Sequence, residues 1–302
     1  MTDLALAVDV GGTKIAAGLV DPTGVLVRAT RRPTPAHDRE AAWAAVREAV
    51  EEVLDGVTVR GVGVGSAGPV DTTRGTVSPI NIAGWSDFPL VDRLRGLLPG
   101  LPVALAGDGA CTALGEHWAG AGRDADFLMG MVVSTGVGGG LVLGGRPYGG
   151  RTGNAGHIGH VVVEPDGYPC TCGGRGCVET VAAGPHLARW AREQGWTGPD
   201  TVALAEDARN GHELALAAFE RGGHAVGLAI AAAASVCDLD LVVVGGGVAA
   251  TGPLLFDPIR RCLDTHAGLS FLRGLRVVPA TLGGDAGLVG AGALVRHALA
   301  AR

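Results

Sequence analysis

Two stretches of the chain share one hydrophobic pattern. Residues 4–10 form an apolar run that stops at Gly11-Gly12. Residues 128–133 form another, which stops at Ser134-Thr135-Gly136 and more glycine. Apolar runs of this length, bounded by turn residues, predict buried strands. Each is followed by a second short run, residues 15–20 in the first case and 140–143 in the second. Two strand–loop–strand units therefore open the two halves. That repetition predicts a duplicated α/β architecture with a cleft between halves.

The rest of the pattern fills in both halves. Asp21-Pro22-Thr23-Gly24 predicts a turn, and residues 25–31 a returning third strand, so the first half begins as an antiparallel meander. Trp43, Val46, Val50, Val53 and Leu54 recur at helical spacing and predict a helix over 38–54. Strands are expected at 57–65 and 103–105, and a helix at 110–118. The second half reads as helices at 179–194, 213–237 and 254–266, with strands at 241–244 and 275–278. A last helix is expected over 285–301, with Asp285 as its N-cap. The predicted domains are a small one over 1–112 and a larger one over 113–289, with residues 290–302 packing back on the first.

Composition narrows the function classes. The chain has 302 residues, 47% hydrophobic and 18% charged, enough for two cores and unlike a disordered chain. A net charge of −6 without a long basic run disfavours nucleic acid as partner. The longest apolar run, 225–237, is too short to span a bilayer, and the first residues lack a signal peptide's basic start. The expectation is a cytoplasmic protein with no membrane partner.

Three of the six cysteines crowd together. His160, Cys170, Cys172 and Cys177 make His-x9-Cys-x-Cys-x4-Cys. Three thiolates and one imidazole complete a closed tetrahedral set, the usual form of a structural Zn²⁺ site. The alternative is reduced core cysteines beside an incidental histidine. Cys111, Cys237 and Cys262 sit among apolar neighbours and read as buried thiols. Glu179 directly follows the cluster. It is either a carboxylate aimed by the metal loop or a helix-start Glu favoured by the macrodipole, and both can hold.

The glycine tips suggest phosphate chemistry. Gly11, Gly12, Thr13 and Lys14 form one; Thr135, Gly136, Gly138 and Gly139 form the other. Glycines let backbone N–H groups approach a phosphate, and the threonines add hydroxyl donors. Asp9, at the end of its strand, suits a hydrated Mg²⁺. Neither tip is a Walker A loop. Either tip alone reads equally well as a hairpin turn; two, each opening a half, favour phosphate. Gly246, in a third glycine cluster, fits a shelf for adenine or ribose, with a plain strand-to-helix turn as the alternative.

At this point a family resemblance emerges. "DVGGTK" at 9–14, "STGVGGG" at 134–140, "GHIGH" at 156–160 and "CTCGGRGCVE" at 170–179 resemble, in this order, the ROK family (repressors, open reading frames, kinases), and the likeness covers essentially the whole chain. It implies an actin-like ATPase (ribonuclease H-like) two-domain fold and phosphoryl transfer from ATP to a sugar hydroxyl, usually O6. By motif match, Asp108 is the base; without the match, Asp108 reads first as a helix N-cap. Glu179 and His160 match sugar contacts, His160 also serving the metal. Asn81 in "NIAGW" and Gly68 in "SAGPVD" match segments lining the sugar.

Two departures bear on the substrate. Gly107 stands where the family has Asn before the base, and Asn154 is a candidate for the lost hydroxyl contact. His157 stands where most glucokinases of the family have Glu. The form "AGHIGH" resembles bacterial N-acetylmannosamine kinases and fits a substituted C2. A glucokinase or a cyclitol kinase is the runner-up. Eight residues precede Asp9, which leaves no room for the helix-turn-helix domain of the family's repressors, so an enzyme is expected rather than a regulator. The resemblance further implies a homodimer or homotetramer.

Overall fold

The computed structural model describes residues 3–300, so Ala301 of the expected last helix lies outside the described residues. β1 (Ala5–Val10), β2 (Lys14–Val20) and β3 (Leu26–Pro33) form the expected meander. Then come α1 (Arg39–Leu54), β4 (Val62–Ser66), the small hairpin β5 (Val70–Asp71) and β6 (Thr76–Val77), α2 (Leu90–Leu97), β7 (Val103–Gly107) and α3 (Asp108–Ala119). The first sheet runs β3-β2-β1-β4-β7, with β1, β4 and β7 parallel.

The second half repeats this plan. β8 (Phe127–Val133), β9 (Val137–Leu143) and β10 (Arg146–Tyr148) open it. The helices α4 (Val178–Ala182), α5 (Gly184–Glu193), α6 (Thr201–Arg209) and α7 (Glu213–Cys237) follow. β11 (Leu241–Gly245), α8 (Pro253–His266), β12 (Arg276–Pro279) and α9 (Ala286–Ala300) close the chain. The second sheet runs β10-β9-β8-β11-β12, the same order by position as the first, with β8, β11 and β12 parallel. The duplication read from the glycine tips is thus a duplication of sheet topology, and the fold is of the actin-like class.

Chain contacts divide the molecule into two compact units. One holds the chain up to Asp124, Gly140–Gly156 and the chain from Leu282. The other holds Ala125–Gly139 and His157–Thr281.

Side-chain size decides how the first sheet is covered. Strand residues alternate faces. Leu6, Val8, Val10, Val62 and Val64 share a core cluster with Val46, Val50 and Val53 of α1. Ala7, Asp9, Gly63 and Gly65 therefore face the other way, and α9 packs against β1 and β4. That face is small, so helix and sheet meet at backbone distance. A Cβ at Gly63 would overlap the carbonyl of Ala291, and one at Gly290 would overlap the carbonyl of Cys111. α1 starts where Asp38 caps it, its Oδ1 accepting from the Glu40 and Ala41 N–H groups at 2.9 and 3.0 Å.

Four expectations change. The strand expected over 57–65 begins only at Val62, because residues before it turn off α1, with Val57 N donating to Leu54 O at 2.6 Å. The helix expected over 179–194 is two helices. Pro185 has no N–H to continue the ladder, and Ala183 is extended at φ −64°, ψ 145°. The last helix begins at Ala286 rather than Asp285; Asp285 ends a short 3₁₀ turn directly before it, and its carboxylate pairs with Arg31. Cys237 is half-buried, whereas Cys111 and Cys262 are buried as expected. The amphipathic reading passed over α2 and α6, although Asp200 caps α6 in the ordinary way.

Gly290→Ala is expected to lower the thermal midpoint by about 5 °C or more, because a methyl cannot enter the α9–α3 contact without moving backbone. Gly274→Ala, where a Cβ meets nothing within 4 Å, should change it little. Thermal melts of the two variants check this.

Candidate active site

In the first unit, three parallel strands end side by side. Register aligns Asp9 with Gly65 and Gly65 with Ala106, and likewise Val10, Ser66 and Gly107. Ligands of open α/β sheets bind beyond such carboxyl ends. The tip from Gly11 to Lys14 emerges there from β1, the Gly68 segment from β4 and Asp108 from β7. The tip is closed by Gly11 N donating to Lys14 O at 2.9 Å and by the Thr34 hydroxyl donating to Gly11 O at 2.7 Å. Thr13 is exposed at its apex.

Asn81 lies against this tip. A Cβ at Gly12 would sit 2.6 Å from the Cβ of Asn81, so glycine is what lets the two segments meet. The apolar members of the same segment hold Asn81 in place. Ile82 and Trp85 are buried; the Trp85 indole stacks on Phe88 at 4.0 Å and donates to Arg39 O at 3.0 Å. The polar member is left exposed.

The Gly68 segment passes through a cis Gly68–Pro69 bond and is braced at Val70. Asn154 Oδ1 accepts from Val70 N at 3.0 Å, while its Nδ2 donates to Val70 O at 2.7 Å and to Thr152 Oγ1 at 3.1 Å. Both amide protons of Asn154 are thus engaged within the protein.

Asp108 is the first residue of α3, with Gly107 rather than Asp108 in the N-cap position. Its carboxylate is exposed, and Oδ1 accepts from Gly109 N at 2.7 Å. Gly107 has φ −65° and ψ 152°, a conformation open to any residue, and a Cβ there would meet nothing within 4 Å.

Asp9 lies deeper. A Cβ at Gly287 would come within 3.2 Å of one carboxylate oxygen, so that glycine keeps its slot open; one at Gly65 would meet the other oxygen at 3.5 Å, an ordinary contact. Burial pushes its pKa up to about 6, and the charge of Asp108 adds to the rise, while Lys14 and Arg31 pull it back. Cys111 is buried close by; burial, then Asp9 and Asp108, drive its thiol well above the usual range, so it is no nucleophile.

In the second unit, the other tip is enclosed by backbone. Ser134 N donates to Gly136 O at 2.9 Å, and Gly184 N to Ser134 O at 2.7 Å. Cβ atoms at Gly159 and Gly246 would overlap the carbonyls of Val137 and Val133. Glu179, in the first turn of α4, reaches the tip: its Oε2 accepts from Val137 N at 2.9 Å. Thr135 stays exposed, and a Cβ at Gly138 would meet nothing within 4 Å.

Next to α4, His160, Cys170, Cys172 and Cys177 converge, with one ligand atom from each within 4.8 Å of the others. Cys172 Sγ and Cys177 Sγ are 3.7 Å apart, as are Cys170 Sγ and His160 Nδ1. Tetrahedral Zn²⁺ with bonds of about 2.3 Å to sulfur and about 2.0 Å to nitrogen spaces its ligands by about 3.5–3.8 Å. The donor set and its spacing fit a metal ion. The His157 ring is exposed and stacks near His160, centroids 6.1 Å apart.

Sequence reasoning missed Glu116. It is fully buried in α3, and its carboxylate accepts from Ala121 N at 2.9 Å and Leu282 N at 2.8 Å. An acid within the apolar stretch after Asp108 was the available signal.

Comparison with known proteins gives one consistent result. The model of the ROK family matches residues 5–298. The chain is 35% identical to a glucokinase of Thermotoga maritima, over 97% of each chain. It is also 35% identical to an N-acetylmannosamine kinase of Yersinia pseudotuberculosis, over 97% of this chain and 99% of that one. Among solved structures, a ROK family glucokinase of Streptomyces griseus, crystallised with glucose and AMPPNP, aligns with a TM-score of 0.83 at 37% identity, covering 97% of this chain and 99% of that one. Among the described residues no helix is long and apolar enough to cross a membrane.

The raised Asp9 pKa has a consequence for stability. Below the unfolded value of 3.8 the group is protonated in both states; as pH rises through about 6 the folded protein must carry a charge it disfavours. Asp9→Asn is therefore expected to stabilise the protein free of nucleotide and divalent metal by about 1–3 kcal/mol at pH 7.5, and by much less at pH 4.5. Melts at the two pH values measure the difference; an equal gap at both would rule it out.

Proposed function

We propose that this chain, which belongs to the ROK family and is an ATP-dependent sugar kinase, phosphorylates the 6-hydroxyl of a hexose or N-acylhexosamine, N-acetylmannosamine foremost. The observation that carries the chemistry is the exposed Asp108 just past the carboxyl end of β7, with only β4 between that strand and β1, whose carboxyl end bears Asp9.

In this reading Asp108 takes the proton of the 6-hydroxyl. The sugar oxygen bonds to the γ-phosphorus, and the bridging β–γ oxygen departs with ADP. Such transition states are loose, so alignment and charge neutralisation outweigh base strength. Mg²⁺ arriving with the nucleotide supplies charge neutralisation on the phosphoryl oxygens. Asp9 would hold the hydrated ion, and a bound cation would draw its pKa back down.

The remaining roles follow the motif matches in the sequence. Gly11, Gly12, Thr13 and Lys14 in the first unit, and Thr135, Gly136, Gly138 and Gly139 in the second, bind phosphates: the glycines admit them close to the backbone, Thr13 and Thr135 add hydroxyl donors, and Lys14 adds its ammonium. Gly246 lines the nucleoside. Gly68, Asn81, His157, His160 and Glu179 read the sugar. Asn154, its amide protons engaged at Val70 and Thr152, acts by holding the Gly68 segment. His160, Cys170, Cys172 and Cys177 hold a structural Zn²⁺, which fixes the start of α4 and so aims Glu179.

Two observations favour an N-acyl sugar. His157 offers a ring N–H where a carboxylate would only accept. Gly107 leaves open space next to Asp108. Glucose is the second reading, favoured by the likeness to glucokinases.

ADP release with N-acetylmannosamine, N-acetylglucosamine, glucose and mannose tests the choice. The largest kcat/KM is expected for N-acetylmannosamine, and a larger value for glucose would replace it with the second reading. Asp108→Asn should lower kcat at least about 100-fold on every sugar with an unchanged thermal midpoint. Gly107→Asn is expected to shift kcat/KM towards glucose about tenfold, by filling open space with a hydroxyl-binding amide. Steady-state kinetics of the two variants check both.

A further inference from the structure

Away from both glycine tips, α7 and α8 carry a second group of metal-ligating side chains. His224 lies on α7, and Cys262 and His266 on α8. One ligand atom from each lies within 4.8 Å of the other two. Cys262 and His266 are four residues apart and share one face of α8; His224 and Gly227 are three apart and share the facing side of α7.

Glycines on α7 set the approach. A Cβ at Gly223 would sit 2.6 Å from the Cβ of Pro258. One at Gly227 would sit 2.6 Å from the Cβ of Cys262 and 2.8 Å from its Sγ. With no side chain at 227, the Cys262 thiol lies buried against the α7 backbone. The His224 and His266 rings are exposed, nearly perpendicular at 76°, with centroids 5.6 Å apart. A thiol thus forms the floor of a surface notch, and two imidazoles form its rim.

We propose that His224, Cys262 and His266 form a second metal site, selective for Zn²⁺ or a similar transition ion, with a water in the fourth position. One sulfur and two imidazole donors exclude Ca²⁺ and Mg²⁺, which take oxygen ligands. Three protein ligands and one open position is a known zinc arrangement. Ligand atoms of a tetrahedral zinc site lie about 3.3–3.8 Å apart, and rotation of the two exposed rings closes the remaining distance. On binding, Cys262 releases its proton to solvent and ligates as thiolate. The ion then ties the last residue of α8 to the middle of α7. Neither the kinase reading nor the His160 cluster is needed for this.

The test uses the full-length protein. After equilibration with Zn²⁺ at fixed free concentration, wild type is expected to hold one more zinc per chain than His224→Ala and than His266→Ala. Both changes are at exposed positions, so folding is expected to survive, and sugar phosphorylation should be unchanged. With Co²⁺ as probe, Cys262→Ser should lose a thiolate-to-cobalt charge-transfer band that wild type shows. Equal zinc content in wild type and both histidine variants, or identical cobalt spectra for wild type and Cys262→Ser, would overturn the proposal.

Discussion

The backbone-level contact of α9 with α3 and the first sheet is the constraint on which the first unit rests. Gly63, Gly115 and Gly290 each lie where a Cβ would overlap a carbonyl of the partner segment. The sheet face they create is paved with alanine and glycine, while the opposite face carries leucine and valine. Close packing of this kind leaves no slack, since interiors accommodate even one added methyl group only by moving backbone. The same approach builds the slot for Asp9: Gly287 lies against one carboxylate oxygen and Gly65 near the other. A helix at the end of the chain therefore sets the environment, and the raised pKa, of a carboxylate near its start.

The second unit solves a similar problem with a knot of loops. Its glycine tip has few side chains to fix it, and backbone from several segments encloses it. Glu179 bonds the Val137 N–H, and glycines at 159 and 246 admit carbonyls from the neighbouring chain. Cys177 is the N-cap of α4 and Glu179 its second residue, so the cysteine cluster and the tip are coupled through one short helix. A carboxylate on such a turn has little freedom, which suits a group that must hold a loop and face a ligand.

Much of the fold was legible because its signals are local. The apolar runs ending in glycine gave β1 and β8, the turn at Asp21–Gly24 gave the meander, and their repetition gave the duplicated plan that the two sheets of matching strand order display. The four metal-type ligands were legible because they fall within eighteen residues of one another. The break between α4 and α5 was also written locally, in Pro185, but the apolar periodicity across it masked the stop. Asp285 stands directly before α9, and only the fold shows that Arg31, distant in sequence, pairs with its carboxylate.

What the sequence determined by itself was the class of fold, the duplicated plan and the residue types available for phosphate and metal, because hydrophobic period, turn chemistry and ligand spacing act over a few residues. Tertiary structure alone decided how those residues are used. It engaged both amide protons of Asn154 at Val70 and Thr152, turned Glu179 onto the second tip, buried Glu116 beneath Leu282, and brought His224 to Cys262 and His266 across a glycine seam. Each depends on which distant backbone comes within hydrogen-bonding or van der Waals reach, and that is set by packing rather than by neighbours in the chain.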